Sequence, residues 1–172
     1  FRPYYNSNNI TLIGHSRGGC IVSIKAEEYF RIQRVISLAG VCDYGKRSST
    51  TGDLKQWKKN GVKYVLNSRT KQQMPHYYQF YQDFIKNEER LTIKRAISNL
   101  KIPHLIIHGD KDDSVPIDEA YKLHEWNPNS TLNIIKNANH VFNAKHPWNE
   151  ATMPEELDEV VSSCVSFIKK ML

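Results

Sequence analysis

Apolar positions along the chain follow two rhythms. NITLIG, residues 9–14, is a short apolar run rich in β-branched side chains and predicts a buried strand. Arg17 to Phe30 predicts a helix, with Ile21, Ile24 and Tyr29 tending to one side. QRVISLA (33–39), HLIIH (104–108) and TLNII (131–135) predict three further strands, and residues 117–125 a helix. The last helix is the clearest. Thr152 and Glu155 form a T-x-x-E capping box, and Leu157, Val160, Val161, Cys164, Phe167, Ile168 and Leu172 then recur at helical spacing. Residues 43–100 differ: they are polar, lysine-rich and aromatic, with helices predicted near 52–60, 73–88 and 91–99.

Strands alternating with helices predict an α/β fold, a parallel sheet covered on both faces. Right-handed crossovers bring the C-terminal ends of all its strands to one edge, where active sites gather. A chain of 172 residues suffices for one such domain. Residues 1–172 are therefore read as a single domain carrying an insert over 44–98. There is no internal repeat and no low-complexity tract.

Composition narrows the partners. Hydrophobic content of 40% suits a globular chain. No apolar run approaches the roughly 20 residues that span a bilayer, so no membrane partner is expected. The opening FRPYYNSNN has no apolar core of a signal peptide. Cys20, Cys42 and Cys164 form neither a disulfide framework nor a metal motif, which favours packing roles and a reduced, cytoplasmic setting. Net charge is +6, with Lys55, Lys58, Lys59, Lys63 and Lys71 crowded together. Without a nucleic-acid motif this cluster reads as a solvated face, and no nucleic-acid partner is expected.

The candidate chemistry lies where the predicted strands end. In ITLIGHSRGGC, residues 10–20, a strand gives way to a helix at Ser16, with Gly14 and Gly18 two residues either side. So tight a turn strains its central residue and requires small neighbours, while the helix N-terminus favours negative charge beside the hydroxyl. This is the pattern of a nucleophile elbow. A serine nucleophile needs an imidazole oriented by a carboxylate. LIIHGDKDDSVP, residues 105–116, offers Asp110, Asp112 and Asp113 just past a strand, and NANHVF, residues 137–142, offers His140 just past the next.

These three segments resemble the α/β-hydrolases, near the branch of dienelactone hydrolase, prolyl oligopeptidase and the feruloyl esterases. GHSRGG matches the elbow, HGDKDDSVP the H-G-x-x-D-x-x-V-P acid loop, and NANHVF the histidine loop. The resemblance covers nearly all of residues 8–172 and corresponds to the C-terminal two-thirds of the family fold. It selects Asp112 among the three carboxylates and implies a triad of Ser16, Asp112 and His140, with the backbone N–H of Arg17 as an oxyanion donor. His15 and His108 fall in the motifs with structural roles expected. The 44–98 insert stands where the family often carries a helical lid. Its Trp57, Tyr64, Tyr77, Tyr78, Phe80, Tyr81 and Phe84 would wall an acyl or aryl pocket, bury the insert, or both. Neither a metal nor an organic cofactor is called for.

The resemblance also implies a gap. The family carries further strands ahead of the elbow, where this chain has only FRPYYNSN. A second oxyanion donor normally comes from that part, and losing one such donor costs about 2.7–4 kcal/mol of transition-state stabilisation. An N-terminal segment or companion chain is expected to complete the sheet, whose first strand would otherwise keep an open edge. The expected activity is hydrolysis of carboxylic esters through an acyl-enzyme, on a small-molecule ester or acyl substrate. A peptidase of the prolyl-oligopeptidase type and a catalytically impaired scaffold are the alternatives.

Overall fold

The computed structural model describes residues 9–47, 50–67 and 70–170. Along the chain come β1 (Ile10–His15), α1 (Arg17–Glu28), β2 (Ile32–Leu38), α2 (Leu54–Asn60), β3 (Val62–Leu66), β4 (Gln73–Tyr77), α3 (Tyr78–Lys86), α4 (Glu88–Leu91), α5 (Ile93–Asn99), β5 (His104–Gly109), α6 (Asp118–Trp126), β6 (Thr131–Ile135) and α7 (Glu155–Lys169). They fall into two compact units: the described residues up to Cys42 with those from Ile93 onward, and Asp43–Thr92. Relative to the insert expected over 44–98, Ile93–Asn99 belongs with the sheet-bearing unit.

The first unit is a parallel sheet in the order β1-β2-β5-β6. All six residues of β5 are buried, because it has a strand on either side and helices over both faces. Leu105 and Ile107 point to one face, where they cluster with Ile36, Ile135 and the α7 residues Val160, Cys164 and Phe167. The other face carries α1, which packs on α5, with α5 in turn against α6; Cys20, Ile24, Ala96, Ile97 and Leu123 are buried there. His104, which alternation turns to this second face, lies with Nε2 2.9 Å from Ser37 Oγ. The Ser37 hydroxyl donates to Gly19 O at 3.0 Å. Burial, and secondarily the nearby His124, lowers the pKa of His104 to about 4.

Three expectations change. NITLIG forms β1, but no residue of β1 is buried, because β2 is its one partner among the described residues. Ile13 is 49% exposed, and so is Ile21 on α1; the helix turns Cys20, Ser23, Ile24 and Ala26 inward instead. The capping box does not form: α7 begins at Glu155 behind Pro154, with no side-chain cap. Glu155, Glu156 and Asp158 instead place negative charge at its N-terminus. Val160, Cys164 and Phe167 face inward while Val161 is exposed; Leu172 lies outside the described residues.

In the second unit, Asp53 caps α2 by accepting from Gln56 N–H at 2.9 Å. Gly61, at φ 71°, ends the helix and lets the chain turn straight into β3. β3 and β4 form an antiparallel hairpin, so the insert is not wholly helical. The helix predicted over 73–88 divides, with 73–77 extended and 78–86 helical. Pro75 lacks the N–H a helix interior needs, and a hairpin edge tolerates it. Trp57 is the buried centre of this unit. Its Nε1–H donates to His76 O at 2.7 Å, and the rings of Tyr78 and Tyr81 stand 5.5 and 5.9 Å away. Tyr64, Tyr77 and Phe80 face outward.

Two stability measurements follow from this packing. Ile107→Ala should cost about 2–5 kcal/mol in urea unfolding, whereas Val161→Ala should change stability by no more than about 0.5 kcal/mol. Between its unfolded value of 6.5 and its folded value of about 4, His104 binds a proton only in the unfolded chain. Stability should therefore fall as pH falls through that window, by up to about 1.4 kcal/mol per unit. His104→Gln, which keeps a donor for Ser37 but does not titrate, should flatten the slope.

Candidate active site

Ser16 occupies the single-residue turn between β1 and α1, at φ 57° and ψ −125°. A non-glycine residue holds such a conformation only where its surroundings impose it. Here the Ser16 N–H donates to Leu38 O at 2.8 Å, and Gly19 N–H donates to Ser16 O at 3.0 Å. The steric demand falls on Gly14 and Gly19. A Cβ on Gly14 would lie 2.2 Å from Gly18 O, and one on Gly19 would lie 3.2 Å from both Gly14 O and the Gly40 Cα. Gly18 itself faces open space, which corrects the expectation that smallness is needed two residues past the serine. Arg17 opens α1, so its backbone N–H stands at the helix N-terminus beside Ser16.

The acid loop leaves the end of β5. Asp112 N–H donates to Gly109 O at 3.3 Å, which folds the loop back on the strand. The Asp112 side chain has no exposed surface. Its Oδ1 accepts N–H from Ser114 at 2.9 Å and from Val115 at 2.8 Å. Its Oδ2 lies 2.8 Å from His140 Nδ1 and 3.3 Å from His108 Nε2. Burial opposes the charge, but the bonds from His108, His140, Val115 and Ser114 outweigh it and hold this carboxyl well below the usual range. The neighbouring carboxylates are used differently. Asp110 Oδ1 accepts the Asn137 N–H at 2.6 Å, and Asp113 Oδ1 accepts the Ser114 hydroxyl at 3.1 Å.

The histidine loop leaves the end of β6, the strand next to β5. Asp110 N–H donates to Ile135 O at 3.1 Å and Lys111 N–H to Ala138 O at 3.0 Å, lacing the two loops together. The approach is so close that a Cβ on Gly109 would fall 2.2 Å from Ala138 O. Asn137, Phe142 and Asn143 all have positive φ, so the loop is tightly coiled. Asn139 Oδ1 accepts from the N–H groups of Val141 and Asn143, Asn143 Oδ1 accepts from Asn139 N–H, and Phe142 is buried beneath.

This geometry gathers Ser16, Asp112 and His140. His140 Nδ1 faces a carboxylate, which only accepts, so the ring proton sits on Nδ1. Nε2 is then the acceptor for the Ser16 hydroxyl, 3.0 Å away. His15 Nε2 lies 2.7 Å from the His140 backbone carbonyl and so donates to it, tying the elbow to the histidine loop. His76 belongs to the second unit, where its ring lies 6.4 Å from that of Phe80. The tether from His15 and the contact at Gly109 went unread in the sequence; both residues lie inside the recognised motifs, which was the available signal. Among the described residues no group of three or more His, Cys, Asp or Glu is arranged to hold a metal ion, and no helix is long and apolar enough to cross a membrane.

Comparison with known proteins bears on the fold. A family model described as alpha/beta hydrolase fold matches residues 41–147, more than half of the chain. Comparison with curated proteins finds no match. Among solved structures, Est1E from Butyrivibrio proteoclasticus is 19% identical over 94% of this chain and 60% of its own, with a TM-score of 0.70. The monoacylglycerol lipase of Paleococcus ferrophilus is 19% identical over 94% of this chain and 68% of its own, with a TM-score of 0.64. The esterase domain of a Rhodothermus marinus protein is 20% identical over 77% of this chain and 53% of its own, with a TM-score of 0.53. The chain thus spans between about half and two-thirds of the length of these structures. A match over most of its residues, on a four-stranded parallel sheet in the order β1-β2-β5-β6, shows that the chain belongs to the alpha/beta hydrolase fold family.

Proposed function

We propose that the protein is a serine hydrolase that cleaves carboxylic esters through an acyl-enzyme. The observation that carries this reading is the continuous relay from Ser16 Oγ to His140 Nε2 at 3.0 Å and from His140 Nδ1 to Asp112 Oδ2 at 2.8 Å. The Ser16 oxygen attacks the acyl carbon while its proton passes to His140 Nε2. The carbonyl oxygen becomes an oxyanion and receives the Arg17 N–H, aided by the field of the α1 N-terminus. On collapse the alcohol leaves with the proton held by His140, and the acyl group stays on Ser16. Water then repeats the attack with His140 as base, releasing the carboxylic acid and restoring the serine. Asp112 keeps the imidazole in the tautomer that accepts from serine and stabilises the imidazolium between steps.

A fluorophosphonate probe should label the chain at Ser16 and leave Ser16→Ala unlabelled; equal labelling of the two would remove serine from the mechanism. Hydrolysis of p-nitrophenyl acetate in preference to an aminoacyl p-nitroanilide is the expected outcome, and the reverse would favour a peptidase. Asp112→Asn should lower kcat by roughly four orders of magnitude, because an amide N–H facing His140 Nδ1 forces the wrong tautomer.

Gly109→Ala tests the supporting backbone. Its Cβ would displace Ala138, two residues before His140, so kcat should fall about a hundredfold even if the chain folds. Among the described residues no strand pairs with the side of β1 away from β2, which supports a further part of the reading. Ile13 and Ile21 are half exposed, and Phe30 is 88% exposed just past α1. We infer that an additional strand, from an upstream segment or a companion chain, pairs with this edge. Intact and native mass spectrometry should find the active species larger than 20.0 kDa; a fully active monomer of that mass would contradict it.

A further inference from the structure

His108 is a second imidazole on the proposed catalytic carboxylate. It is the fifth of six residues of β5, the strand held between β2 and β6. Its side chain has no exposed surface. Nε2 lies 2.7 Å from Val115 O and 3.3 Å from Asp112 Oδ2. A carbonyl only accepts, so the proton is on Nε2 and is donated to Val115 O, with the carboxylate oxygen 3.3 Å from the same nitrogen. Nδ1 is buried and has no hydrogen-bond partner among the described residues. A proton there would be a buried, unsatisfied N–H, so the geometry favours the one on Nε2.

The contacts close a ring. His108 donates to Val115 O, the Val115 N–H donates to Asp112 Oδ1 at 2.8 Å, and Asp112 Oδ2 returns to His108. The Asp112 carboxyl is held at Oδ1 by the loop's own Ser114 and Val115 N–H groups, and at Oδ2, the oxygen that meets His140 Nδ1, it stands 3.3 Å from His108 on the central strand.

We propose that His108 is a positioning residue, whose Nε2–H, beside Asp112 Oδ2 and bonded to Val115 O, aligns the Asp112 carboxylate toward His140. The inference rests on the triad reading above. The competing possibility is that His108 merely pins the Val115 carbonyl. Two variants of the full chain separate these: His108→Leu removes the donor, and His108→Gln offers an amide N–H near the same place.

For p-nitrophenyl acetate, His108→Leu should lower kcat roughly tenfold to a hundredfold with KM unchanged. The acid limb of its kcat/KM profile should move to higher pH, because an Oδ2 relieved of one donor holds the imidazolium of His140 more strongly. His108→Gln should recover most of kcat, and in an Asp112→Asn background His108→Leu should have little further effect. A folded Leu variant with kcat within twofold and an unmoved acid limb, or Gln and Leu variants equally impaired, would overturn the proposal. If the Leu variant does not fold, 15N NMR of the unsubstituted chain decides: a proton on Nε2 is expected, and an Nδ1–H tautomer lacking it would sink the proposal. Absence of fluorophosphonate labelling in the unsubstituted chain would instead count against the triad itself, and the NMR readout is independent of that outcome.

Discussion

A carboxylate stripped of water keeps its charge only where donors replace the water it gave up. Asp112 has no exposed surface, yet bonds from His108, His140, Val115 and Ser114 hold it ionised. Each donor comes from a part of the chain fixed for other reasons. His108 is on the central strand, Ser114 and Val115 are in the acid loop's own turn, and His140 is on the loop of the neighbouring strand. Satisfying this one charge therefore fixes the relative position of two strand ends. The imidazole orientation that makes Ser16 a donor to His140 Nε2 is a consequence of it.

Strain gathers around the same point. Ser16, Asn137, Phe142 and Asn143 all have positive φ without being glycine. Conformations of this kind cost on the order of 1–3 kcal/mol each unless the residue tolerates them, as asparagine does. The scaffold holds them because each strained turn leaves the end of a paired strand and is tied back across it. Ser16 is tied to Leu38, Lys111 to Ala138, and His15 to the His140 carbonyl. Gly109 permits the closest of these approaches, and a side chain there would drive the two loops apart.

Three Ser–His pairs stand among the described residues, Ser16–His140, Ser37–His104 and Ser130–His124, and the contrast between the first two shows what chemistry requires beyond proximity. Ser37 and His104 lie 2.9 Å apart, as close as Ser16 and His140 at 3.0 Å. The Ser37 hydroxyl is committed to Gly19 O, His104 is fully buried, and its pKa is pulled down to about 4. That pair packs the interior. Ser16 and His140 sit instead at the C-terminal rim of the sheet, with a carboxylate behind the ring.

The sequence by itself determined the alternation of strands and helices, the parallel sheet and the three segments that carry Ser16, Asp112 and His140. Those features rest on local physics: hydrophobic period, turn chemistry and short motifs at strand ends. It misread NITLIG as fully buried, because an edge strand and a central one share the same apolar run and differ only in their neighbours. It ran the 73–88 helix through 73–77, where Pro75 and the pairing of β4 with β3 make the chain extended, and placed a capping box at Thr152 although the chain's entry angle into α7 is not written locally. Local physics left Asp110, Asp112 and Asp113 open and the family resemblance selected Asp112, whereas the need for glycine at 109 and the placement of His15 and His108 against the site were decided by the tertiary structure. Each of these depends on contacts between residues far apart in the chain or across two loops, and such distances exist only once the strands have paired.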